Sequence, residues 1–118
     1  MSIYVEVFLV IDGVRSSRRG QVQNAAQEVW PFDPDAWFER ASESDEGLWH
    51  MEARGEDNLV GDWEVFVDNL YEACREANGR DFCFPDDPGQ DKEMPFEVDI
   101  KNLEEAPVTS YTRGKKRP

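Results

Sequence analysis

The segment from Ile3 to Ile11 constrains the fold most, because every residue in it except Glu6 is apolar or aromatic. Side chains of a β-strand point alternately to the two faces of its sheet. The odd-numbered residues therefore share one face, and Phe8 and Val10 lie on the other. Apolar side chains on both faces are typical of a central strand that is covered on both sides. The Asp12-Gly13 pair that follows predicts a turn.

The clearest helix is predicted from Asp62 to Asn78. Its apolar residues recur at the three- and four-residue intervals of an amphipathic helix. They are Trp63, Phe66, Val67, Leu70, Tyr71, Cys74 and Ala77. Asp62 is suited to cap the first turn, and Gly79 can adopt the left-handed conformation that ends a helix.

Two further helices are predicted from weaker signals. Apolar residues at helical spacing predict an amphipathic helix over residues 20–29, which Pro31 cannot continue. Asp33-Pro34 combines a capping side chain with a proline suited to the first helical position. It predicts the start of a short helix that carries Trp37 and Phe38.

Alternating or aromatic-rich segments predict three more strands, at Leu48 to Arg54, Phe82 to Phe84 and Phe96 to Lys101. The mixture predicts a single small α+β domain over residues 1–110, with a largely antiparallel sheet and two or three helices packed on one face. A split βαβ, ferredoxin-like arrangement is one topology that fits this order. Residues 111–118 lack apolar periodicity and predict a flexible basic C-terminal tail.

The charge of the chain is strongly acidic. Twenty-six Asp and Glu oppose thirteen Lys and Arg, for a formal net charge of −13. Direct binding to nucleic acid or to an anionic membrane depends on cationic side chains, so both are disfavoured. Residues 20–110 alone hold twenty-four acids and six bases, a net charge of −18. The acidity is therefore a property of the folded middle of the chain.

Several features predict a cytoplasmic protein. No apolar run approaches the roughly 20 residues of a transmembrane helix, and residues 1–11 lack the basic start and cleavage site of a signal peptide. Cys74 and Cys83 are too few for a disulfide framework and are not spaced as zinc ligands. Both fit buried free thiols that pack in the core, in a reducing environment.

Catalytic and metal-binding patterns are weak. The acidic loop from Asp86 to Glu93 differs from a calcium-binding loop, because its glycine stands fourth rather than sixth and Pro88 stiffens the turn. His50 is the only histidine, and its one candidate partner for nucleophilic catalysis is Cys83. A histidine in a strand is more often a sheet-face residue. We therefore expect no catalytic residue, no metal and no cofactor, and hence no enzyme.

The most specific feature is a row of acids on the back of the predicted helix. Glu64, Asp68, Glu72 and Glu76 recur at every fourth position. We call these four residues the acidic ridge. Like charges four residues apart oppose a helix by roughly 0.2–0.5 kcal/mol for each pair, so the three pairs cost on the order of 1 kcal/mol. A solubility role alone does not require this cost.

The ridge predicts a surface that imitates the charge of a nucleic acid. In size and acidity the chain resembles phage-encoded anti-restriction and anti-CRISPR proteins, and the resemblance covers composition and the ridge. It implies a non-enzymatic inhibitor that binds a basic nucleic-acid-handling protein or nuclease complex, with fast, electrostatically steered association. The expected binding residues are the ridge together with the loop acids Asp86, Asp87, Asp91 and Glu93.

Other functions fit the same residues. An immunity protein or antitoxin against a basic nuclease would carry the same charge. An ordinary α/β adaptor or assembly subunit would use acidity for solubility, and its binding would be indifferent to salt. Trp30, Phe32 and Trp37 are candidates for interface anchors and equally for the core.

Overall fold

The computed structural model describes residues 2–43, 47–83, 94–104 and 109–115. Within these ranges the chain forms five strands and two α-helices. They are β1 (Ser2–Arg15), α1 (Arg19–Val29), β2 (Phe38–Ala41), β3 (Leu48–Val60), α2 (Trp63–Asn78), β4 (Phe96–Asn102) and β5 (Thr109–Lys115). Short 3-10 helices precede α1 at Ser16–Arg18 and β2 at Pro34–Ala36. The predicted α+β class is confirmed.

The five strands form one antiparallel sheet in the order β2-β3-β1-β4-β5. β3 lies between β1 and β2, and β1 lies between β3 and β4. Each of the two βαβ units therefore encloses a strand of the other, which is the split βαβ arrangement. The first strand of the chain lies at the centre of the sheet, as its apolar sequence predicts.

Both α-helices pack on the same face of this sheet. Along β1 every second residue from Val5 to Ile11 is buried against them, and the same alternation continues on β4. Val22 and Ala26 of α1 and the apolar stripe of α2 join these residues in one core. The predicted packing of helices on one face is confirmed for the described residues.

The opposite face of β1 is only partly covered. Phe8 and Val10 are half-buried there, and their neighbours in the sheet are charged, since Phe8 lies between Arg54 and Asp99. The expectation of a strand covered on both sides is wrong in the part of the chain that is described. The methylene groups of a long side chain such as Arg54 can shield an aromatic ring without a second layer of helices.

The predicted turn at Asp12-Gly13 is also wrong, because β1 continues to Arg15. The register with β3 shifts between Ile11 and Val14, where two residues of β1 stand opposite one residue of β3 and so form a bulge. Gly13 has a φ of +80°, and a Cβ at this position would lie 2.2 Å from the carbonyl oxygen of Cys83. Glycine is therefore needed for the bulge rather than for a reversal of the chain.

The two predicted amphipathic helices are confirmed. Asp62 caps α2 by accepting a hydrogen bond from the backbone N–H of Glu64 at 2.9 Å. Gly79 ends α2 with a φ of +78°, and its N–H donates to the carbonyl oxygen of Arg75. Among the described residues, neither α-helix has the length and apolarity that a bilayer crossing needs.

Two short elements differ from their predictions. The helix after Asp33 is a 3-10 helix that ends at Ala36, so it does not carry Trp37, and Phe38 begins β2. Phe82 and Cys83 form no strand, and Phe84 lies outside the described residues. Phe82 is instead buried, with its ring stacked 5.7 Å from that of Phe96. An aromatic side chain can enter the core from an irregular segment without any strand pairing.

The prediction of a flexible C-terminal tail is wrong for residues 111–115. Residues 109–115 form β5, whose register with β4 runs from the pair Asn102 and Thr109 to the pair Phe96 and Lys115. Residues 116–118 lie outside the described ranges. Pairing of this kind uses backbone N–H and C=O groups, so a polar, basic segment can add to the edge of β4 without apolar periodicity.

Candidate functional site

The acidic ridge lies on the side of α2 that faces away from the core. The buried stripe of Phe66, Val67, Leu70 and Cys74 fixes the rotation of the helix against the sheet. Glu64, Glu72 and Glu76 are consequently exposed, and Asp68 is half-buried. The structure thus brings the four predicted helix residues together on one surface.

Helix geometry gives the ridge a definite shape. Four residues advance a helix by about 6 Å and by about 40° beyond one full turn. The row is therefore inclined to the helix axis, and it spans about 18 Å from Glu64 to Glu76. Glu72 lies almost opposite the buried stripe, while Glu64 and Asp68 lie closer to the flank that carries Tyr71. The charges form an oblique band across the exposed side of α2.

Arg75 is a cation that contacts the band. Its guanidinium lies 3.7 Å from the carboxylate of Glu72 and 3.4 Å from that of Asp81. Both contacts are exposed, so each contributes no more than about 1 kcal/mol. Glu76 forms no ion pair with a residue whose side chain the structure describes. The exposed side of α2 therefore keeps a strongly negative surface.

The remaining predicted binding residues are outside the described part of the chain. Asp86, Asp87, Asp91 and Glu93 all belong to the segment 84–93. Their position relative to the ridge stays a prediction.

The aromatic candidates for interface anchors belong to the core. Trp30 and Phe32 are 4% and 2% exposed, and Trp37 packs against the ring of Phe32 at 5.8 Å. The indole N–H of Trp30 donates to the carbonyl oxygen of Gly55 at 3.0 Å. These side chains hold the chain after α1 against β3, and the alternative of exposed anchors is wrong for Trp30 and Phe32.

His50 is held by two carboxylates on the sheet face opposite the helices. Its Nδ1 lies 2.7 Å from Asp12, and its Nε2 lies 2.5 Å from Glu52. The hydrogen bond to Asp12 is the main cause that raises the pKa of His50 above its ordinary 6.5; burial opposes this effect, and Glu52 adds to it. An imidazolium that donates from both nitrogens has no lone pair for accepting a proton.

The possible catalytic pair of His50 and Cys83 is not formed. Both ring nitrogens of His50 are occupied as above, and the sulfur of Cys83 instead accepts from Arg80 at 3.6 Å. The second thiol, Cys74, is buried, and this burial raises its pKa to about 12. A thiol with such a pKa stays protonated at neutral pH and is a poor nucleophile. Within the described ranges, no group of three His, Cys, Asp or Glu side chains is placed to hold a metal ion.

Sequence patterns missed a second surface beside the ridge. A groove of about 470 Å³ opens between the C-terminal end of α1 and the N-terminal end of α2. We call it the α1–α2 groove; its lining includes Trp30, Asp57, Leu59, Asp62, Val65 and Phe66. Val60 and Val65 border it and are 73% and 54% exposed. The signal in the sequence is Val65 itself, which stands outside the apolar stripe of its helix.

We compared the chain with protein families, curated proteins and solved structures. No family model, no curated protein and no solved structure matches it. The described surface thus offers two neighbouring features on the same side of the sheet. One is the acidic ridge along α2, and the other is the apolar groove at the start of the same helix.

Proposed function

We propose that this chain is a non-enzymatic acidic protein that binds the basic surface of a nucleic-acid-handling protein and so competes with nucleic acid. The chain resembles phage-encoded anti-restriction and anti-CRISPR proteins in size and acidity, and this resemblance implies an inhibitor of such a kind. The observation that carries the proposal is the position of the acidic ridge, since the buried stripe of α2 leaves Glu64, Glu72 and Glu76 exposed and Asp68 half-buried. We place the protein in the cytoplasm, where such partners act.

Electrostatics supports this proposal. The ridge opposes its own helix, and Glu76 adds to the cost because a negative charge near a helix C-terminus opposes the helix dipole. An evenly spaced row of carboxylates can take the place of phosphates in a groove lined by Lys and Arg. The net charge of −13 would also steer a basic partner and speed its association.

The non-enzymatic part of the proposal is supported by the state of the reactive side chains. His50 is engaged by Asp12 and Glu52, and the thiol of Cys74 is buried. We accordingly propose no catalytic residue and no cofactor. An immunity protein or antitoxin against a basic nuclease would use the same acidic surface and the same electrostatic attraction. Only the identity of the partner would distinguish it from the proposed inhibitor.

A second candidate function is an adaptor or assembly subunit that binds through apolar contacts. The exposed Val60 and Val65 favour it. Such binding would change little with ionic strength, whereas binding through the ridge weakens as salt screens the charges. Salt dependence therefore separates the two functions.

The test compares two charge-reversed variants in affinity capture from a lysate of the source cells. Glu72→Lys with Glu76→Lys reverses the exposed C-terminal half of the ridge and leaves the half-buried Asp68 in place. Glu56→Lys with Glu104→Lys is the matched control, since both residues are exposed and the net charge changes equally. Bound proteins are eluted with graded salt or with duplex DNA and identified by mass.

We expect the wild type and the control to retain nucleic-acid-handling proteins that both salt and duplex DNA release. The ridge variant should lose them. Retention of the same proteins by the ridge variant would contradict the proposal, as would retention that neither salt nor DNA weakens. The latter result would favour the adaptor.

A further inference from the structure

The α1–α2 groove contains an acid where the sheet pattern calls for an apolar residue. The row of β3 that faces the helices includes Met51, Ala53 and Leu59, which are all buried. Asp57 belongs to the same row and is half-buried. Placing a carboxylate partly out of water is unfavourable unless a partner compensates it. Asp57 is therefore an unusual choice for this position.

The carboxylates of the groove have only local hydrogen-bond partners. Asp57 accepts from the backbone N–H of Asn58 at 2.8 Å, and Asp62 accepts from that of Glu64 at 2.9 Å. Neither forms an ion pair with a Lys or Arg whose side chain the structure describes, and no cation is among the described residues that line the groove. The groove is thus negative without an internal counter-charge.

The walls of the groove are apolar. Leu59 and Phe66 form its inner side, and Val65 extends the apolar surface outward. The groove is lined in addition by Asn69 of α2, whose side-chain amide can accept hydrogen bonds. A ligand that fits must combine an apolar stem with a cationic head.

We infer that the α1–α2 groove receives an arginine side chain of the basic partner. This inference rests on the proposed function and adds to it one specific contact. The methylene stem of arginine would lie along Val65 and Phe66, and its guanidinium would meet the carboxylates of Asp57 and Asp62. Arginine suits the site better than lysine because its five N–H donors form a planar fork and are more weakly hydrated than an ammonium group.

The position next to the ridge explains how the two surfaces act together. Val65 borders the groove and precedes the ridge residue Asp68 by three positions, which makes the two neighbours on the surface of α2. A basic segment that lies along the ridge can therefore insert one side chain into the groove. The N-terminal end of a helix disfavours a cation, and Asp62 and Glu64 at this end offset the effect. The ridge attracts the partner over a distance, and the groove fixes its register.

The test uses N-acetyl-arginine amide as the probe, titrated into protein labelled with ¹⁵N. Shifts of the backbone amides of Asn58, Val65 and Asn69 report on the groove. The matched probe is N-acetyl-citrulline amide, which has nearly the same shape and no charge. We expect saturable shifts with the arginine probe and binding weaker by about twofold to fivefold with citrulline, the range expected for exposed ion pairs.

Two variants complete the experiment. Asp57→Asn with Asp62→Asn removes both groove charges, and Asn keeps the helix cap that Asp62 provides. Glu72→Gln with Glu76→Gln removes the same charge from the ridge. The groove variant should bind the arginine probe as weakly as wild type binds citrulline, and the ridge variant should bind it like wild type. Equal binding of the two probes, or full binding by the groove variant, would overturn the inference.

The titration and the capture experiment can refute the groove contact and the proposed function separately. A protein that binds the arginine probe in the groove and captures no nucleic-acid-handling protein refutes the proposed function alone. A protein that captures such partners through the ridge, with no binding of arginine in the groove, refutes the groove contact alone.

Discussion

Gly13 and Asn78 meet where β1 changes register, and together they join the sheet to the end of α2. The side chain of Asn78 is fully buried. Its Oδ1 accepts from the backbone N–H of Arg15 at 2.8 Å, and its Nδ2 donates to the carbonyl oxygens of Arg80 and Gly13. One amide thus satisfies three backbone groups that the bulge and the helix end leave without regular partners.

Replacing Gly13 with alanine should destabilise the fold by about 3 kcal/mol, from the strain of a positive φ together with overpacking. The added Cβ would lie 2.2 Å from the backbone carbonyl oxygen of Cys83, so the backbone of one of the two segments would have to shift. Urea unfolding measures the change.

The control for this substitution is Gly20→Ala. Gly20 lies in α1, and a Cβ there meets no atom within 4 Å. Alanine should therefore raise stability by up to about 1 kcal/mol through its helix propensity. A Gly13→Ala protein as stable as wild type would show that the bulge tolerates a side chain.

His50 makes stability depend on pH. Its pKa is raised in the folded state, mainly by the hydrogen bond to Asp12. The stabilisation is therefore complete below about 6.5, the pKa of an unfolded histidine, and it is lost as the pH rises through the folded pKa. The free energy of unfolding of the wild type should fall relative to that of His50→Gln as the pH rises from 6 toward 9.

The groups that face His50 limit the interpretation of this pH profile. Asp12 and Glu52 bind its two nitrogens, Phe38 contacts its ring edge to face, and Arg40 lies opposite it on β2. Parallel pH profiles for the wild type and His50→Gln would refute the role of the imidazolium.

At the scale of the element, α2 has ends that stabilise the helix and an exposed side whose like charges destabilise it. Asp62 and Gly79 cap it by local hydrogen bonds, and its apolar stripe is buried. The ridge works against this stability, and the burden is greatest at Glu76, which follows Glu72 by four residues and stands in the last turn. If binding requires the ridge, the helix trades stability for charge.

Replacing Glu76 with glutamine should stabilise the protein by about 0.5 kcal/mol, because the change removes both the repulsion from Glu72 and the unfavourable charge at the helix C-terminus. The urea midpoint measures the shift. Glu64→Gln should have the opposite sign, since a negative charge in the first turn favours the helix. A loss of stability in Glu76→Gln would mean that the ridge carries no strain.

At the scale of the molecule, the net charge determines how the stability of the fold depends on salt. A charge of −13 on 118 residues repels itself most strongly when the chain is compact. Raising NaCl from about 20 mM to about 300 mM shortens the Debye length severalfold. The melting temperature should therefore rise by a few degrees over this range, and thermal unfolding followed by circular dichroism measures it.

The same salt should weaken partner binding, so stability and affinity should move in opposite directions. Glu56→Lys with Glu104→Lys reduces the net charge and should reduce the effect of salt on the melting temperature. A melting temperature that falls with salt would show that ion pairs contribute more to stability than self-repulsion removes from it.

The predictions from sequence succeeded where the controlling interactions are local. The spacing of apolar residues located α2 to within one residue, and Asp62 and Gly79 marked its ends. The apolar segment around Leu9 located the central strand. Periodicity and capping chemistry act within a few residues, so they can be read without knowledge of the fold.

The predictions failed where a distant segment decides the outcome. Gly13 forms a bulge and not a turn because the backbone of Cys83 packs against it. Residues 109–115 form a strand because β4 offers them an edge. Neither partner is visible from the sequence near these residues.

The sequence by itself determined the fold class, the two amphipathic helices and the outward position of Glu64, Glu72 and Glu76. Only the tertiary structure decided where α1, the end of β3 and α2 meet, and so created the α1–α2 groove around Asp57. Periodicity fixes which side of an element is apolar, because it depends on neighbours along the chain. A groove depends on which elements meet, and that is set by the packing of the whole sheet.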